Sequence, residues 1–330
     1  MLHISDFFAK LGLRLLDRRG TVAVVFAIMV IPLASFAGVG IDYGRLVHMK
    51  TTLQAATDTA AISGAAANFG TAAQETTPGD GPYTIATNFF KDTWLPPDLK
   101  VTSTVTAPAT TSLSGATVTV SATAQVGLSF LAIWLHQVPV SVTSTATAEI
   151  PGAATGSFPF TVPECIFTSP DPVYWNATTG EPTNNPKTGL PYEIVFDSSY
   201  HTTNNCTYGE WTSLLNSNTS ASTAESMITS GCGCILSTGD NIYIDTGTKA
   251  SLYKTAASLI GQTVLVPVVS QDNLTSGGTA TVIGFAPLVI DSTNQGSKTI
   301  TGHLTSNYQG GGLSGTGGTY YGTDIVKLIN

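Results

Sequence analysis

Charge is scarce in this chain. Only 10% of its 330 residues are Asp, Glu, Lys or Arg, against roughly 25% in an ordinary soluble domain. Its 13 basic residues against 21 acids leave a formal net charge of −8, which argues against binding nucleic acid through phosphate contacts. Cysteine is equally sparse, with four in the whole chain and none before Cys165. The histidines, His3, His48, His136, His201 and His303, show no metal-ligand spacing. There is no G-x-S-x-G elbow and no phosphate-binding loop. No catalytic, cofactor-binding or metal-binding set therefore stands out. The chain is expected to be non-enzymatic, without cofactor, metal or evident small-molecule substrate.

What the chain does have is Thr, Ser, Gly and Ala in abundance, the composition of an exported, turn-rich β protein, and one long apolar run. From Gly20 to Ile41 no charge occurs. About 20 apolar residues suffice to cross a bilayer as a helix, so residues 20–41 are predicted to be a single transmembrane anchor. Lys10, Arg14, Arg18 and Arg19 precede the run, and such basic flanks hold their end in the cytoplasm. Residues 1–19 are thus a basic leader, with Phe7, Phe8, Leu11, Leu15 and Leu16 at helical spacing, and the bulk of the chain is exported. A cleaved signal peptide is the competing reading. It would have a shorter apolar core, with small residues after it, whereas Ala34, Ala37 and Gly38 lie inside the run.

Beyond Asp42 a helical pattern continues to Phe69. Leu46, Met49, Leu53, Ala56, Ala60, Ser63 and Ala67 recur at three- and four-residue steps, a packing stripe for a sheet or a neighbouring helix. Gly40 and Gly44 form a small-xxx-small pair. Residues 71–82 read as a loop and residues 85–91 as a short helix, with Phe89, Phe90 and Trp94 supplying bulk. The period then changes to two. Val101 to Val105, Val118 with Val120, and Val138 to Val142 alternate with polar residues as half-buried antiparallel strands, with the apolar insert Phe130 to Leu135 before the last. The expected fold class is α+β: a long helix packed on a small antiparallel sheet over residues 42–150, in the manner of a pilin.

Pro151 to Gly156 reads as a linker, and residues 157–330 as a β-rich periplasmic domain. Strands are predicted at Glu193 to Phe196, Asn241 to Ile244, Val264 to Val269, Thr281 to Phe285 and Leu288 to Ile290, one helix at Thr223 to Thr229, and a flexible loop at Gly310 to Gly318. All four cysteines, Cys165, Cys206, Cys232 and Cys234, fall here, and export makes disulfides the default among three possible pairings. Cys232 and Cys234 stand too close for a comfortable mutual bridge, so each is expected to pair with Cys165 or Cys206. A redox or metal-binding Cys-x-Cys is the weaker alternative. Asp197-Ser198-Ser199-Tyr200-His201 follows an apolar strand in partial likeness to an Asp-x-Ser-x-Ser metal motif, but a plain polar loop explains it better.

The segment Arg19-Gly20-Thr-Val-Ala-Val-Val-Phe-Ala-Ile, then Asp42-Tyr43-Gly44-Arg45 and Leu53-Gln54-Ala55-Ala56-Thr57-Asp58, resembles the N-terminus of TadE/TadG-like proteins of the Flp (tight adherence) pilus system. Phe158-Pro159-Phe160-Thr161-Val162-Pro163-Glu164-Cys165 and the stretches Val266 to Val269, Val282 to Ala286 and Thr301-Gly302-His303 look like the longer, TadG-like members. Processed pilins of this system carry a glutamate five residues after the cleaved glycine. Counted from Gly20 that position is Val25, which favours an uncleaved TadG-like anchor. The resemblance implies a role in pilus assembly or adherence through contacts with other Tad proteins, and no reaction. A minor pilin or tip adhesin, or a tethered carbohydrate-binding module or enzyme, remains open. An acidic pocket would favour the enzyme, and a surface aromatic platform from Tyr174, Trp175, Tyr320 or Tyr321 the binding module.

Overall fold

The computed structural model describes residues 18–68, 101–106, 116–130, 137–168, 174–177, 179–197, 202–203, 206–245, 249–306, 308–310 and 312–329. Residues 1–17 of the leader, the loop at 71–82, the short helix at 85–91, most of the apolar insert and Ser198 to His201 lie outside them.

One helix, α1 (Arg18–Asn68), runs for 51 residues, about 75 Å at 1.5 Å per residue. Pro32 falls inside it without ending it. Within it Val25–Ala66 is long and apolar enough to cross a membrane. Its side chains divide it into two halves. From Val22 to Ile41 every apolar side chain that is described faces outward, Phe36 at 76% exposure being the extreme. The helix also has an inside: Gly38 and Asp42 are buried one turn apart, and from Leu53 the burial becomes a stripe through Ala56, Thr57, Ala60, Ala61, Gly64 and Ala65. The stripe expected from periodicity is therefore an internal packing face. Thr51, Thr52, Thr57 and Ser63 return their hydroxyls to carbonyls one turn back, which lets polar residues sit in the helix without seeking outside partners.

A four-stranded sheet follows, in the order β1 (Val101–Thr106), β2 (Ala116–Gly127), β3 (Gln137–Glu149) and β18 (Ile325–Ile329). The alternation read in the sequence is its pleat. Val118, Val120, Ala122, Ala124 and Val126 are buried, while the hydroxyls between them meet those of β3. Thr117 faces Thr147 at 3.2 Å, Thr119 faces Thr145 at 3.1 Å, Ser121 faces Thr143 at 3.0 Å and Thr123 faces Ser141 at 2.8 Å. Such cross-strand hydroxyl pairs hold register on the face that no apolar packing secures. The fourth strand was not legible in advance. β18 comes from the end of the chain and pairs antiparallel with β3, Ile325 opposite Glu149 and Ile329 opposite Thr145.

The β-rich region centres on a seven-stranded sheet. Its path runs through β11 (Glu210–Trp211), β5 (Phe160–Pro163), β14 (Thr263–Val269), β15 (Thr279–Asn294), β16 (Thr299–Leu304) and β8 (Ile194–Asp197), and β13 (Asn241–Tyr243) also joins β15. All pairings are antiparallel except β14 with β5. Phe160 with Phe196, Phe160 with Trp211 and Trp211 with Tyr253 meet edge-on, and Phe158 joins Phe160 and Trp211 at a tilt, with centroids 5.4–6.5 Å apart. The helix expected near residue 223 is α3 (Ala221–Ser230), capped by Ser220, and follows the single-turn α2 (Cys165–Thr168). A further helix, α4 (Ala250–Ala256), was not anticipated.

Three expectations need correction. The segment 151–156 is no linker, because Ala153–Thr155 forms β4, the centre of a three-stranded sheet with β12 (Ile235–Ser237) and β17 (Leu313–Ser314). For the same reason residues 310–318 are more than a loop, since Leu313 and Ser314 pair with Ala154 and Ala153. The strands expected at 281–285 and 288–290 are one strand. Pro287 interrupts the pattern but removes only one donor, and its carbonyl still accepts from the Thr305 N–H at 3.1 Å.

Candidate functional site

The polar residues of the helix do their work on its inner face. Asp42 is fully buried. Its Oδ1 accepts the Ser129 N–H and its Oδ2 the Phe130 N–H, each at 2.9 Å. One turn on, the Arg45 guanidinium donates to Ser129 Oγ. One turn back, Gly38 gives the Phe130 ring room, since a Cβ there would lie 2.5 Å from the ring. A side chain is absent at 38 because an aromatic ring occupies its space. This Gly38–Asp42–Arg45 row clamps the turn that leaves β2. A carboxylate that accepts two backbone N–H bonds is stabilised in its charged form, which offsets the cost of burying it.

Farther along α1, Asp58 Oδ1 accepts from Ser144 Oγ at 2.5 Å. Leu53, like Ala56, is fully buried, Gln54 half-buried, and Ala55 exposed. Tyr43 is exposed, and a Cβ at Gly40 or Gly44 would meet nothing within 4 Å. Arg19 and Gly20 lie in the first turn of α1. Of the residues singled out by motif, Asp42 and Arg45 thus tie the helix to the turn after β2, and Asp58 ties it to β3. Gly38 and Ser144 were missed, having no partner visible in one dimension.

The cysteines form two bridges. Cys165 joins Cys206 across 41 residues, with Cα atoms 5.8 Å apart, and Cys232 joins Cys234, with Cα atoms 5.1 Å apart. The second corrects the expectation that these two would pair elsewhere. Gly233 between them faces open space. The bridge is packed against a core that includes Leu236, Ile242 and Phe285.

A cavity of about 350 Å³ is lined by Ile150, Glu164, Phe167, Trp175, Tyr320 and Tyr321 among others. Glu164 is the one acid lining it, and its Oε1 accepts from Tyr321 Oη at 3.1 Å. Burial, and then the Glu164 charge, push the Tyr321 phenol above its usual value, so it stays protonated. Tyr174, Trp175, Tyr320 and Tyr321 are no more than 9% exposed, so they are core packing and not the surface platform expected of a binding module. Trp175 packs on Phe167 and Tyr320, and Tyr321 on Phe167.

Elsewhere, Asp245 and Lys249 form a buried ion pair at 2.7 Å. Asp324 is buried with Oδ2 on Gln309 Nε2 at 2.7 Å. Burial raises its carboxyl to about 7, opposed by that hydrogen bond. Asp197 ends β8, an edge strand in antiparallel pairing with β16, unlike the central parallel strand that a doubly wound metal-binding domain would place there. Among the described residues no group of three or more His, Cys, Asp or Glu is placed to hold a metal ion.

Residues 20–67 match the model of the family described as Flp pilus-assembly TadE/G-like. The similarity to TadE/G-like proteins is thus confined to the N-terminal helix. The match covers α1 almost end to end, including the clamp at Asp42 and Arg45 and the buried stripe, and supports a role in the Flp pilus-assembly system. The later stretches that look TadG-like lie outside it. No curated protein and no solved structure matches the chain.

Proposed function

We propose that this chain is a TadG-like, non-enzymatic component of Flp pilus assembly, anchored in the inner membrane by the uncleaved first half of α1. The leader faces the cytoplasm and the sheet and β-rich region stand in the periplasm, where both disulfides can form. The observation that carries this reading is the change along α1 within the family-matched residues. Its apolar side chains face outward up to Ile41 and inward from Leu53. An outward apolar surface that long is costly in water and favourable in lipid, while the inward half belongs to a folded body. The β-rich region then supplies contacts to other assembly proteins.

The test is intact-mass and fractionation analysis of the full chain expressed in a bacterial membrane. A full-length mass in the inner membrane, lighter than the reduced form by the hydrogens lost at its two bridges, is the expected result. A chain shortened near Gly20 and recovered in sheared surface fibres would make it a pilin-like subunit instead.

A further inference from the structure

The turn that leaves β2 is fixed at one height on α1. Asp42 accepts from the N–H groups of both Ser129 and Phe130, Arg45 donates to the Ser129 hydroxyl oxygen, and the Phe130 ring lies in the space left by Gly38. Gly38 stands three residues before Ile41, about 5 Å along the helix, so Phe130 is level with the last apolar turn of the outward-facing half. The ring is not buried by this contact. It is 53% exposed, at the height of Phe36, Val39, Ile41 and Tyr43, all exposed as well. From Phe130 the sequence runs Phe-Leu-Ala-Ile-Trp-Leu to Leu135 without a charge.

We propose that Phe130 enters the bilayer beside α1, giving the exported part a second membrane contact at the boundary between acyl chains and headgroups. This rests on α1 being a membrane anchor. The lipid is chosen over a protein partner because the exposed ring continues an apolar surface that lipid already covers, and aromatic residues favour that depth. The clamp makes the depth tolerable for charge. Buried Asp42 meets two N–H donors of the turn itself, so its carboxylate does not depend on water there, and Arg45 spends one of its donors on the Ser129 hydroxyl. The sheet is then seated against the membrane and does not swing on a single tether.

The full-length protein in phosphatidylcholine–phosphatidylglycerol vesicles tests this. Phe130→Cys, Phe26→Cys and Ser141→Cys are labelled with an environment-sensitive fluorophore without reductant. Quenching by lipids with a nitroxide high on the acyl chain is compared with quenching by aqueous iodide. The Asp42 bonds come from backbone N–H groups, so the clamp survives the substitution at 130. The expected result is a label at 130 quenched several-fold more by the lipid nitroxide than the label at 141, and shielded from iodide. A label at 130 that behaves like that at 141, with the label at 26 quenched by lipid, overturns the inference alone. A label at 26 that lipid does not quench overturns the anchor reading first, and this inference with it.

Discussion

The two regions of this molecule are held together by different means. Around α1 and its sheet the buried residues are small: Ala56, Ala60, Ala61, Ala65, Val118, Val120, Ala122, Ala124, Ala146 and Ala148. In the β-rich region they are large: Phe158, Phe160, Trp175, Phe196, Trp211, Tyr253 and Phe285. Small side chains let backbones approach but remove little apolar area each. There, direction comes from polar ties, namely Asp42 on the turn, Asp58 on Ser144 and the hydroxyl ladder between β2 and β3. A buried ring removes about 150–250 Å² from water, so the β-rich region draws its stability from area and adds the Cys165–Cys206 bridge. The difference teaches that one chain can combine a polar-specified helix mount with an apolar-specified body.

The comparison breaks first if the rings do not dominate. Trp211→Ala is expected to cost about 4–5 kcal/mol, read as chemical unfolding of the full chain in detergent followed by circular dichroism. A loss under about 1 kcal/mol would deny the aromatic core its role. The bridges sharpen the contrast within the β-rich region. Replacing Cys165 and Cys206 by Ala opens a loop of 41 residues and is expected to cost about 4 kcal/mol on loop-closure entropy. Replacing Cys232 and Cys234, two positions apart, costs only about 1.5 kcal/mol on the same argument.

Asp324 sets a pH dependence with a definite sign. Its folded carboxyl lies at about 7, above the ordinary 3.8, so between those values the folded state binds the extra proton. Stability from this group is highest at low pH and falls as pH rises from about 4 to about 7. Asp324→Asn is expected to flatten that slope and to stabilise the protein by about 3 kcal/mol at pH 8, with little change near pH 4. The smallest effects belong to the helix mount. Ser144→Ala removes one bond to Asp58 and should cost about 1 kcal/mol, while Thr123→Val on the outward ladder should stay within about 0.5 kcal/mol. A reversed order for these two would show the ladder, not the helix tie, to be the stronger link.

The long helix, its packing stripe and the three alternating strands were all legible, because period and composition are local quantities. The partners were not. Asp42 reads as a polar residue at the end of an apolar run, and only the fold brings the N–H groups of Ser129 and Phe130 to it, 87 and 88 residues away. The strands at 153–155 and 325–329 carry too little pattern to stand out, and each exists because a distant strand offers it an edge. The proximity of Cys232 and Cys234 was read as a bar to pairing, yet their Cα atoms lie 5.1 Å apart and the two are bridged.

By itself the sequence determined the apolar stretch, the change of period from helix to strand, the acidic and cysteine-bearing second half, and the TadE/G-like motif. These follow from side-chain chemistry at fixed spacing along one chain. Tertiary structure alone decided which polar residues close on the helix, that four aromatic residues are core and not a platform, which cysteines meet, and that the last strand returns to β3. Those outcomes depend on contacts between residues tens to hundreds of positions apart, where sequence spacing carries no distance.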